Sequence, residues 1–253
     1  NPTPEWLVTN GLGGYASGSL GGACTRRFHG QLIASLPAPL GRVMMFNHIE
    51  EVIAHPGGTC YRLSGDEHGD RKEVAYPEAG FLEEFVLENG LPVWRFSKNG
   101  IRIEKRVMMP HLQNSTYITY RLIEGPADLE LRLRPSLHFR PHEGLLTEQV
   151  PEEWSVINEG THGVEISDGR QYPPLRLLIL GNGALERDVR MFQHVLYRLE
   201  KSRGYEYEGP LWSPGVFRLS FPRAQDVGLV ASVERWDVVK ALTCGQAWTA
   251  EAE

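Results

Sequence analysis

Apolar and polar residues alternate along most of this chain. In "DLELRLRP", Leu129, Leu131 and Leu133 fall on one side and Glu130, Arg132 and Arg134 on the other. That is the period of a strand with one buried and one polar face. In "VWRFSKNGIRIEKRV", Trp94 and Phe96 precede Lys98-Asn99-Gly100, and Ile101 and Ile103 follow it. Asn-Gly between alternating runs predicts a hairpin, because both residues tolerate positive φ. The stretches 116–123, 154–166, 175–180, 216–221 and 227–234 alternate likewise, punctuated by turns such as Glu124-Gly125-Pro126 and Asp168-Gly169. Helical period is confined to the end, "RWDVVKALTCGQAWTAEAE", where Trp236, Val239 and Leu242 share a face and Asp237 is the expected N-cap. The pattern therefore predicts an all-β, antiparallel protein with a C-terminal helix.

Composition narrows the class. With 253 residues, 41% of them hydrophobic, the chain buries roughly 70–75% of its unfolded surface without any covalent staple. A net charge of −6 argues against nucleic acid, and the one basic cluster, Arg102 with Lys105 and Arg106, is interrupted by Glu104. Cys24, Cys60 and Cys244 are too few and too far apart for a disulfide framework or a metal-ligand spacing. A reducing, cytoplasmic setting is expected, with no metal and no cofactor. No apolar run approaches the roughly 18 residues of a membrane span.

Three stretches carry candidate chemistry. "NGLGGYASGSLGG" (10–22) formally contains the G-x-G-x-x-A dinucleotide pattern from Gly11 to Ala16, but the glycines and serines that follow cannot make the helix that pattern requires. "CTRRFHGQLIAS" (24–35) reads as a strand with Arg26 and Phe28 on one side, Arg27 and His29 on the other. Two readings fit: ion pairing with Glu50 and Glu51 of "FNHIEEVIA", or a polar wall facing a sugar, since polyol recognition needs multi-donor groups beside aromatics. "YRLEKSRGYEYEGPLWSPGVF" (197–217) reads as a long ordered loop whose Tyr205, Tyr207 and Trp212 either stack on sugar rings or cover the end of the sandwich. His138, Arg140 and His142 alternate along one strand face; arginine ligates no metal, so a solvated strand end is expected there. The acidic doublets Glu50-Glu51, Glu83-Glu84 and Glu152-Glu153 point to opposite faces of a strand, so none forms a carboxylate pair across a pocket.

The assembled string "EWLVTNGLGGYASGSLGGACTRRFHGQLIAS" resembles the start of bacterial and archaeal-type glycogen debranching enzymes. The matching blocks are Glu5 to Leu7, Thr9 to Ser17 and Thr25 to Gly30, with Phe28 where the family usually has tyrosine. "IRIEKRVMM", "TYRLI", "LELRLRPSLHFR" and "LWSPGVF" follow in the family's order. Arg140-Pro141-His142 departs from the family's Arg-Asp-x-His. The resemblance implies a β-supersandwich of the galactose mutarotase and glucoamylase N-terminal type over 1–235. It implies that residues 236–253 begin a helical linker to an (α/α)6 barrel carrying the catalytic acids. Its partners would be that barrel and α-glucan, met by Arg26, Arg27 and His29, with Asn10, Tyr15 and Trp212 behind them. Two other classes stay open. One is a mutarotase-type sugar enzyme, which needs a histidine facing a glutamate across a groove (His29 or His48 with Glu50). The other is a purely structural domain.

Overall fold

The computed structural model describes residues 4–67 and 80–252. The strands are β1 Glu5–Thr9, β2 Tyr15–Ser19, β3 Gly30–Ser35, β4 Arg42–Phe46, β5 His48–Ala54, β6 Cys60–Arg62, β7 Leu82–Glu88, β8 Leu91–Lys98 and β9 Ile101–Met108. They continue as β10 Ser115–Glu124, β11 Glu130–Ser136, β12 Arg140–Pro141, β13 Ser155–Glu159, β14 Gly163–Ser167, β15 Leu175–Leu180, β16 Gly183–Leu196, β17 Glu208–Ser220 and β18 Asp226–Ser232. Helices α1 Arg198–Ser202, α2 Trp236–Val239 and α3 Cys244–Ala252 complete the fold.

Three antiparallel sheets result, in the orders β1-β2-β3-β4-β12, β13-β14-β15-β18-β10-β9-β8-β7 and β16-β17-β11-β5-β6. The inward residues of all three meet in one apolar core, with Leu32 and Phe46 from the first sheet, Ile118 and Leu229 from the second, and Leu131 and Phe217 from the third. This is the large antiparallel β protein that the alternation predicts, and the β-supersandwich that the resemblance implies. The hairpin between β8 and β9 turns at Asn99 and Gly100, with φ of 51° and 77°, as the Asn-Gly signal predicts.

The C-terminal helix departs from its expectation. It breaks in two, α2 starts after Arg235 rather than at an Asp237 cap, and Thr243 opens α3. The Thr243 and Gln246 side chains each accept from the other's backbone N–H, at 3.3 and 3.0 Å, a reciprocal cap that makes residue 243 a helix start rather than a helix interior. Val239 and Ala247, with Trp236, Leu242 and Trp248, cover the outer face of the eight-stranded sheet at Met108, Tyr117 and Val230.

Candidate functional site

The segment carrying the two arginines is a turn. The strand begins only at Gly30. Ahead of it, the His29 N–H bonds the Arg26 carbonyl at 3.1 Å, and the Thr25 N–H donates to His29 Nδ1 at 3.2 Å. His29 thus ties up its own backbone four residues back, which the period-2 reading could not register. The acceptor role of Nδ1 fixes the ring as the Nε2–H tautomer, and Nε2 lies 3.4 Å from Glu5 Oε1. Burial pulls the His29 pKa down to about 4, Glu5 opposing. His29 is 3% exposed, so it is a support of the turn rather than part of its surface.

The expected pairing with Glu50 and Glu51 does not occur. Arg26 pairs instead with Glu5 at 2.6 Å while keeping a quarter of its side chain exposed. Glu50 pairs with Arg62 at 2.8 Å, and Glu51 with Lys105 at 2.5 Å. Among the described residues Arg27 makes no salt bridge, though its charge acts on Glu206. Its Nη2 donates to the carbonyls of Glu143 and Gly144 at 2.8 and 3.0 Å, and its guanidinium sits 5.1 Å from the Phe28 ring centre. Beneath it lies Arg140, fully buried, donating to the carbonyls of Arg27 at 2.5 Å and of Pro141 and His142 at 3.3 and 3.2 Å. Arg140 is the strut that joins the arginine turn to the 141–144 loop, and its burial lowers its pKa.

The solvated strand end expected at 138–142 is also corrected. His138 and Arg140 are buried, at 1% and 0% exposure: the His138 N–H is held by Asn47 Oδ1 at 2.7 Å, and Arg140 pairs with Met44 where β12 joins β4. His142 alone reaches the surface patch. Its Nε2 lies 2.8 Å from Tyr15 Oη and its Nδ1 2.8 Å from Glu143 Oε1. Tyr15 Oη also donates to the Phe28 carbonyl at 3.0 Å, and the Phe28 and His142 rings are 4.8 Å apart. Burial pushes the Tyr15 pKa up to about 12, with Arg42 and Arg140 opposing, and lowers that of His142 against the pull of Glu143.

Two expected sugar contacts lie elsewhere. Asn10 is fully buried. Its Oδ1 accepts from the Leu12 and Gly14 N–H groups, both at 3.0 Å, and its Nδ2 donates to Gln113 O at 2.9 Å. It is the organiser of the glycine loop, and a Cβ at Gly14 would stand 2.7 Å from its amide. Trp212 belongs to β17, 5% exposed and stacked on Trp154 at 4.5 Å. The long loop expected over 197–217 is α1 and β17, so Trp212 is core, while Tyr205 remains exposed.

The patch that does assemble is Tyr15, Arg26, Arg27, Phe28, His142 and Glu143, with Arg42 beside it. It offers guanidinium donors, a phenol, an imidazole and an aromatic ring within one surface, the inventory that recognises hydroxyl groups. Its carboxylates, Glu5 and Glu143, each lie against a basic side chain, Arg26 and His142. Sequence reasoning passed over Phe28 and Arg42 as site residues. It noticed His142 only as part of a strand. Strand β2 follows the glycine loop, which leaves the dinucleotide pattern without its helix. The mutarotase-type pair His48 and Glu50 does line one pocket with Asp66, Glu67 and Arg134, but that cavity measures about 20 Å³, room for about one water. Among the described residues no cluster of three or more His, Cys, Asp or Glu is placed to hold a metal ion.

A search among curated proteins finds no match. Among solved structures, a bacterial glucoamylase complexed with acarbose aligns with 100% of this chain and 36% of its own, at 7% identity and a TM-score of 0.39. The chain thus spans little more than a third of that glucoamylase. The family model described as glycogen debranching enzyme N terminal matches residues 4–227. With that match running from β1 into β18, across all three sheets and the arginine turn, the chain belongs to the family of glycogen debranching enzyme N-terminal domains.

Proposed function

We infer that this chain is the glucan-facing domain of a debranching enzyme, one that buttresses an (α/α)6 catalytic barrel and extends its substrate site. The parent reaction is hydrolysis of α-1,6 branch linkages, with or without 4-α-glucanotransfer, in glycogen breakdown. The two-carboxylate chemistry would belong to the barrel, and this domain would supply binding and orientation. Residues 236–253 would lead into the barrel. The free thiols of Cys24 and Cys60 fit a reducing cytoplasm.

One observation carries this reading. Arg27 is held at the surface by backbone carbonyls and an aromatic ring, and among the described residues it makes no salt bridge, though its charge acts on Glu206. A purely structural arginine commonly ends in a direct salt bridge; this guanidinium is instead oriented by carbonyls, with donors available beside the patch. Arg26, Phe28, Tyr15 and His142 surround it with further hydrogen-bonding and stacking groups.

Isothermal titration of this chain with maltoheptaose and with a branched limit dextrin tests the reading. Binding should appear, and Arg27→Ala should weaken it about tenfold, roughly 1.4 kcal/mol, with little change in melting temperature. Silence at millimolar ligand favours a purely structural domain. A fall in melting temperature that accounts for the lost binding removes Arg27 from the site.

A further inference from the structure

Three hydrogen bonds in the patch share too few protons when His142 is neutral. Tyr15 Oη lies 3.0 Å from the Phe28 carbonyl and 2.8 Å from His142 Nε2, and His142 Nδ1 lies 2.8 Å from Glu143 Oε1. A carboxylate only accepts, so the Nδ1 in this contact carries a proton. The Phe28 carbonyl also only accepts, and the Tyr15 hydroxyl has one proton to give. Burial holds the pKa of that phenol up at about 12, so the hydroxyl keeps its proton. The other donor aimed at the Phe28 carbonyl, Ser17 Oγ, stands at 3.5 Å, beyond the usual hydrogen-bond range.

Two proton counts follow. With a neutral imidazole, Nε2 is bare, and the single Tyr15 proton goes to Nε2 or to Phe28 but not to both. If Nε2 takes it, the carbonyl is left to Ser17. If the carbonyl takes it, two lone pairs face each other at 2.8 Å. With a second proton on the ring, drawn from solvent, Nε2–H donates to Tyr15, Tyr15 donates to Phe28, and Nδ1–H donates to Glu143. Every donor in the chain then meets an acceptor.

The relay joins two pieces of the backbone. Phe28 lies in the arginine turn, whereas His142 and Glu143 lie in the loop whose carbonyls, at Glu143 and Gly144, hold Arg27. We propose that His142 is a proton switch: its imidazolium form directs one relay from Glu143 through Tyr15 to Phe28 that clamps the arginine turn to the 141–144 loop, and its neutral form releases a link. The groups around the ring set where the switch acts. Burial, the largest effect, lowers the His142 pKa; Glu143 on its own loop opposes this, and Arg42 of β4 and Arg140 of β12 reinforce it. Tyr15 of β2 stays uncharged. The arginine turn presents the Phe28 ring, 4.8 Å from the imidazole, with the Arg27 guanidinium 5.1 Å from that ring. The clamp is therefore engaged at pH values below the ordinary histidine midpoint of about 6.5 and released above them. This goes beyond the glucan reading and does not rest on it.

The test is NMR of the chain with isotope-labelled histidine rings and phenylalanine carbonyls, titrated from about pH 8 to about pH 4. Neutral His142 should be the Nδ1–H tautomer, and the Phe28 carbonyl resonance should shift with the midpoint of His142 rather than that of His29. Tyr15→Phe should abolish that carbonyl shift while His142 still titrates. A neutral Nε2–H tautomer overturns the switch, because Tyr15 then already accepts from the ring. So does a Phe28 carbonyl that stays still through the His142 midpoint, or one that still follows it in Tyr15→Phe. The tautomer and the wild-type carbonyl decide the matter even where Tyr15→Phe fails to fold.

Discussion

At the scale of the residue, histidines near the arginine turn do opposite jobs. His142 sits in the surface patch with both ring nitrogens engaged. His29 and His138 are buried and held neutral, their pKa values pulled down to about 4 and about 3, in each case chiefly by burial. The unfolded chain binds protons at these residues near pH 6.5, while the folded chain resists them. Stability is therefore present above that pH and is lost as pH falls toward 4 and 3. For His29 alone the loss is of order 3 kcal/mol, at about 1.4 kcal/mol per unit. Urea unfolding at about pH 7 and about pH 5 should show a clear drop in midpoint, reduced in His29→Gln. Equal midpoints would mean that the turn tolerates a charged His29. None of this was legible in the sequence, because a histidine bonding its own backbone and one on a strand leave the same letters.

At the scale of the element, the alternation reads correctly along 101–103 and 129–133, while Arg134 is buried and the strands Ser115–Glu124 and Asp226–Ser232 bury residues on both faces. Leu129, Leu131 and Leu133 are buried, as are Ile101 and Ile103. It failed where backbone geometry decides: at the Thr25–His29 turn, at Thr243, and in 197–217, where glycine and proline density masked a 13-residue strand. One exception to the pattern is informative. Lys105 continues the inward series of Ile101 and Ile103, and it is buried at 6% exposure. It pairs with Glu51 across the core at 2.5 Å, lies 5.0 Å from the Trp94 ring, and shares Glu51 with the Tyr120 hydroxyl. Burying both charges costs desolvation that the pair must recover through geometry. Lys105→Met leaves Glu51 uncompensated and should destabilise by about 3–5 kcal/mol. Lys105→Met combined with Glu51→Gln should recover most of that. Additive losses in the double variant, measured by denaturant midpoint, would show that the pair is not what joins β9 to β5.

At the scale of the whole molecule, the supersandwich was legible and its site only partly so. The strand count and turn chemistry are local properties, whereas the patch joins residue 15 to 142, a separation that no periodicity encodes. The C-terminal helices likewise pack on the second sheet through contacts that no periodicity encodes. Arg106 lies 4.5 Å from the Trp248 ring, and the Glu251 carboxylate accepts from the His111 N–H at 2.6 Å. His111 in turn stands against Gly11, where a Cβ would lie 2.6 Å from its ring, so α3 braces the glycine loop that leads into Tyr15 of the patch. Removing residues 236–253 uncovers Met108, Tyr117 and Val230, each worth roughly 1.5–3 kcal/mol when fully buried, and withdraws that brace. The truncated chain should melt several degrees lower, a shift of about 2–4 °C accompanying each kcal/mol in a domain this size, and should bind maltoheptaose more weakly than Trp248→Ala does, since that variant keeps the Glu251 contact. If truncation instead leaves both melting and binding at wild-type values, α2 and α3 are passengers on the sheet, and the glycine loop holds its shape through Asn10 and Asn114 alone.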